Sequence, residues 1–73
     1  MPSFDRITFD SRILGGRACI RGMRISVALI LGQIAAGASI DEVLADYPDL
    51  EAADVAQALS YAAWLAEDEV HYV

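Results

Sequence analysis

A chain of 73 residues with net charge −6 and 56% apolar residues makes one domain with a small core. Its one cysteine, Cys19, excludes an internal disulfide and suits a reducing compartment, so a cytoplasmic protein is expected. No run approaches the ~18 uninterrupted apolar residues of a membrane helix. The opening MPSFDRITFD lacks the basic-then-apolar pattern of a signal peptide, so neither a span nor a leader is expected.

In chain order, residues 6–9 (RITF) alternate partially between polar and β-branched or aromatic side chains, which predicts a short strand. Asp10-Ser11 opens a turn or single helical turn through Ile13, and Gly15-Gly16 is loop punctuation. Residues 18–20 predict a second short strand. Gly22-Met23 suits a type II′ turn, with a return strand at Arg24-Ile25. Residues 1–25 therefore read as a β-hairpin region. Ser26 is an N-cap for an apolar helix over residues 27–36, stopped by Gly37. Ser39 and Glu42 have capping-box spacing, and Ile40, Val43, Leu44 and Tyr47 mark one face of a second helix that Pro48 ends. A third helix is expected from near Ala52 to Ala66 or Glu67, with Val55, Leu59, Ala62 and Ala66 as its apolar stripe. Residues 26–67 thus hold three helices, and residues 68–73 form a tail that reads as a short strand or an arm. The fold class is mainly α with a small β element (α+β). The last two helices and the intervening YPDLE resemble a helix-turn-helix pair.

Charge is distributed unevenly. The first 24 residues carry five arginines against Asp5 and Asp10, a balance of +3; the remainder carries nine acids and no lysine or arginine, a balance of −9. A nucleic-acid contact would have to use the N-terminal third, and Arg17, Arg21 and Arg24 are the candidates for DNA or another anion. A Gly22-Met23 turn would set Arg21 opposite Arg24, and opposed like charges destabilise a strand pair. Unless the two side chains splay into water, three anions answer that need: a phosphate, an acidic groove of a partner protein, or an internal carboxylate such as Glu42, Asp46 or Asp49. In the third helix only Gln57 is a good base-reading residue, with Ser60 a weak second, while Glu51, Asp54, Glu67 and Asp68 oppose phosphate; a packing role is favoured for that helix.

The apolar surplus points to a protein interface, with Tyr61, Trp64, Leu65 and Tyr72 as candidate anchors and a homodimer as the expected state, in preference to a tail that folds back over Trp64 within one chain. Catalysis finds little support. His71 stands alone, Cys19 has no neighbouring base in sequence, and the adjacent acids serve as helix caps or solvated groups. No enzyme activity, cofactor or metal site is expected.

The ordered set Gly15-Gly16, Ile20-Arg21-Gly22, Arg24-Ile25, Val27, Gly37, Tyr47-Pro48 and Leu50 resembles the small bacterial domain-of-unknown-function family 433, whose members look like Vap-type antitoxins. The resemblance runs over residues 7–63. Ala18 replaces the family's usual proline, and Met23 replaces a threonine or serine that offers a hydroxyl in the arginine turn. The resemblance implies a homeodomain-like three-helix domain behind a small hairpin. It also implies an antitoxin that binds and silences a PIN-like ribonuclease toxin, with binding to its own promoter as a further role. No catalytic residue is carried over. Outside that role, the residues leave two readings open: a transcriptional regulator acting through the arginines, or a homodimeric interaction protein.

Overall fold

The computed structural model describes residues 3–70, with side chains through residue 67. The expected tail beyond its first three residues, with His71, Tyr72 and Val73, lies outside the described residues. Strands β1 (Ile7–Thr8) and β2 (Cys19–Ile20) precede helices α1 (Val27–Ala35), α2 (Ile40–Asp46) and α3 (Ala52–Val70). The domain is mainly helical, with a two-stranded antiparallel hairpin at its front.

The hairpin pairs differently from the sequence expectation. β2 lies against β1, with Ile7 opposite Ile20 and Thr8 opposite Cys19. Residues 24–25 form no strand, and the return pass contributes a single bridge between Cys19 and Ser26. Two local facts explain this. First, the turn comes one residue early. Arg21 and Gly22 both adopt left-handed backbone (φ 45° and 71°), and the Met23 N–H donates to the Ile20 carbonyl at 2.8 Å, the pattern of a type I′ turn. Second, the Ser26 hydroxyl accepts from the Leu29 N–H at 3.0 Å, so the chain is already committed to α1 at Ser26. A Cβ placed on Gly22 would meet nothing within 4 Å, so its replacement costs backbone strain alone. Gly22→Ala is therefore expected to destabilise the domain by about 1 kcal/mol, with Gly22→Asn recovering part of it, as read by thermal unfolding.

α1 ends as expected at Gly37 (φ 103°). The Gly37 N–H donates to Ile34 and the Ala38 N–H to Gln33, both at 3.0 Å, which is a Schellman motif. α2 starts on the expected capping box, with Ser39 and Glu42 exchanging side-chain and backbone hydrogen bonds. α3 runs to Val70, past the expected end, because nothing in AAWLAEDEV stops a helix. Its buried face is turned slightly from the expected stripe: Val55 and Ala58 are fully buried, while Leu59 is exposed. The small Ala58 lets α3 approach the core, where Ile7, Ile20, Val27, Ile30, Val43 and Leu50 meet it. The cluster thus draws on both strands and all three helices, and it seats the hairpin against the first half of α3.

Candidate functional site

The hairpin brings two arginines side by side, but not the expected pair. The Arg21 N–H donates to the Arg6 carbonyl at 2.9 Å, which extends the β1–β2 register by one position and sets Arg21 across from Arg6. Opposed like charges require an anion, and α3 supplies it. The fully buried Asp54 carboxylate accepts from Arg6 Nη1 (2.8 Å), from Arg21 Nε (3.1 Å to one oxygen and 3.3 Å to the other) and from Arg21 Nη2 (2.9 Å). The Glu51 N–H donates to it at 2.8 Å. Asp54 thereby also satisfies a free N–H at the start of α3. Arg6 Nη1 reaches Glu51 as well, at 2.7 Å, and Arg21 Nη2 donates to the Asp49 carbonyl at 2.9 Å. Two cations thus meet two carboxylates. No described buried side-chain nitrogen or oxygen lacks a partner.

Burial on its own would push the Asp54 carboxyl up. Hydrogen bonds from Arg21, the Glu51 N–H and Arg6 outweigh it and hold the group at about 2, below its ordinary 3.8. Because the folded value lies below the unfolded one, the stability this group confers is complete above about pH 4 and is lost as pH falls through 2. Acid titration followed by circular dichroism should show unfolding in that window, shifted or abolished as a step in Asp54→Asn.

The other candidates are placed as follows. Arg12 pairs with Asp10 at 2.9 Å. Arg17 and Arg24 are exposed and make no ion pair among the described residues. Arg21 is partly exposed but committed to Asp54, so of the three expected anion contacts only Arg17 and Arg24 lack an ion-pair partner among the described residues. The internal carboxylate is Asp54 rather than Glu42, Asp46 or Asp49; of these, only the Asp49 backbone takes part. Gln57 is also engaged: its carbonyl accepts from the Arg6 N–H, and its amide donates to Asp5 at 2.9 Å. The would-be base reader fastens the N-terminal segment to α3. Met23 is partly buried against the core, so the position where a hydroxyl was missing is a packing position.

Tyr61 and Trp64 form an aromatic cluster with the N-terminal segment. The Phe4 ring meets Tyr61 edge-on at 5.3 Å and Trp64 at 5.7 Å, and Phe9 reaches Tyr61 at 6.3 Å. Trp64 is thus half covered from the front of the chain. Leu65 remains 42% exposed. Beside it lies an apolar groove of about 510 Å³ between α1 (Val27, Ala28, Leu31) and α3 (Tyr61, Ala62, Leu65), with Arg17 at its rim. Alanines at 28 and 62 leave the space that larger side chains would fill. Among the described residues no group of three or more His, Cys, Asp or Glu has metal-binding geometry, and no helix is long and apolar enough to cross a membrane.

Residues 7–62 match the family described as "Protein of unknown function (DUF433)". The chain belongs to the DUF433 family. Its fold is similar to the crystal structure of a DUF433 member protein from Anabaena variabilis, with 34% identity and a TM-score of 0.80. The likeness covers 88% of this chain and 63% of the cyanobacterial one, so the domain spans less than two thirds of that protein. A search of functionally curated proteins found no match. The DUF433 match includes Ile20-Arg21-Gly22 and Asp54, so the turn and its buried carboxylate lie inside the family region, while Arg6 stands just before it.

The residues that sequence reasoning missed are Arg6 and Asp54. One signal was available. Asp54 follows Glu51 by three positions at the start of α3, the spacing at which an acid turns back to cap its helix. Arg6 offered none, because its pairing depends on a β1–β2 register that two-residue strands do not announce.

Proposed function

We propose that this DUF433 chain is an antitoxin-like protein that binds and neutralises a PIN-like ribonuclease by protein contact, acting in a reducing cytoplasm where the buried Cys19 thiol stays free. The observation that supports this best is the fate of the positive charge. Arg6 and Arg21 are spent on Asp54, and Gln57 is spent on the N-terminal segment. The outward charge is therefore chiefly acidic: Asp41, Glu42, Asp46 and Asp49 are all exposed. An enzyme that cuts RNA presents a basic groove, and an acidic helical face is complementary to it. Resemblance to antitoxin-like proteins supports the same partner class.

Co-expression with a PIN-like ribonuclease from the same operon tests the reading. The chain should co-purify with the enzyme and restore growth, and Asp41→Lys with Asp46→Lys should weaken both. Undiminished toxicity without co-purification contradicts it. Promoter binding would rest on Arg17 and Arg24. Two phosphate contacts per chain support only weak, strongly salt-dependent affinity.

A further inference from the structure

We propose that the groove between α1 and α3 seats a second copy of this chain, in a two-fold pairing where each α3 lies in the other's groove. The argument starts from where α3 stops packing. Val55 and Ala58 face the core and are fully buried, but the same stripe continues through Ala62 to Leu65, which is exposed. α3 overruns its own domain, and its core-facing stripe becomes the open wall of the groove. The opposite wall is α1, whose sequence VALILGQIA carries no charge.

Charge complementarity favours a second copy as the occupant. Among the described residues, the one charged residue lining the groove is Arg17, and it has no ion-pair partner there. The matching element would be an apolar helix with small residues and an acidic end. α3 is such a helix: Ala62 and Leu65 are followed by Glu67-Asp68-Glu69. A two-fold axis makes the contact reciprocal, so each Arg17 meets the acidic end of the partner's α3 and each Leu65 enters the other groove. This pairing uses a different face from the acidic surface assigned above to a ribonuclease. The two proposals therefore fail separately: a monomer that still neutralises the enzyme overturns only the pairing.

Sedimentation equilibrium of the full chain tests it, with circular dichroism to confirm folding. The wild type should be a dimer at concentrations of about 100 µM, in the range expected of a modest interface. Ala28→Leu fills the groove on an exposed helix position and should leave a folded monomer. Arg17→Glu and the pair Asp68→Arg, Glu69→Arg should each weaken association roughly tenfold or more. Combining the two reversals should restore it. A wild-type monomer at that concentration overturns the proposal. So does a dimer indifferent to Ala28→Leu, or one that neither charge reversal weakens.

Discussion

Replacing Asp54 by alanine is expected to lower the stability of the domain by about 3 kcal/mol or more, the cost of breaking a buried ion pair from one side. Asp54 is fully buried and accepts from two guanidiniums and one backbone N–H. Its removal leaves Arg6 and Arg21 facing each other across the hairpin with only the exposed Glu51 to offset them. It also frees an N–H at the start of α3. A domain of this size is stable by only about 4–11 kcal/mol, so the loss is a large fraction of the total. The midpoint of thermal unfolding should fall by roughly 12–24 °C. Asp54→Asn should be nearly as damaging, because the amide keeps the shape but not the charge. Glu51→Ala should cost less than about 1 kcal/mol, since its carboxylate is 61% exposed. Differential scanning calorimetry of the three variants separates the buried charge from the exposed one.

The second large effect is expected at Ile20. Its side chain is fully buried among residues of both strands and all three helices. Ile20→Ala should cost about 3 kcal/mol, through lost burial and the cavity left behind, and Ile20→Val about 1 kcal/mol. Urea denaturation reads both, with Leu65→Ala as a control expected to change stability by less than about 1 kcal/mol in the monomer. Ile20 and Arg21 are consecutive, yet they fasten the hairpin by different chemistry. Ile20 enters the apolar core, while Arg21 turns into left-handed backbone and reaches Asp54.

That neighbouring pair shows how much was legible in the sequence. The helices were readable because their signals are local. Ser26, Ser39 with Glu42, and Gly37 each act within a few residues, and each cap forms as expected. The hairpin was readable as a region but not as a pairing. Its strands are two residues long, so periodicity carries no register, and the turn shifted by one position. An anion beside Arg21 was expected from repulsion by Arg24, a pairing that does not form; the arginine across from Arg21 is Arg6. The identity of that anion was not legible, because Arg6 and Asp54 are 48 residues apart in sequence and meet only through the tertiary fold. Trp64 likewise found its cover in Phe4, at the far end of the chain.

The arginine-rich turn is thus a fastening between the hairpin and α3. A double-mutant cycle between Arg21 and Asp54 measures that fastening most directly. Arg21→Met keeps the apolar stem, Asp54→Asn keeps the shape, and the double variant removes the pair. Denaturant unfolding should give a coupling of about 2 kcal/mol in the stabilising sense. A coupling below about 0.5 kcal/mol, with Arg21→Met as stable as the wild type, would contradict it and return Arg21 to the pool of cations free to bind something else.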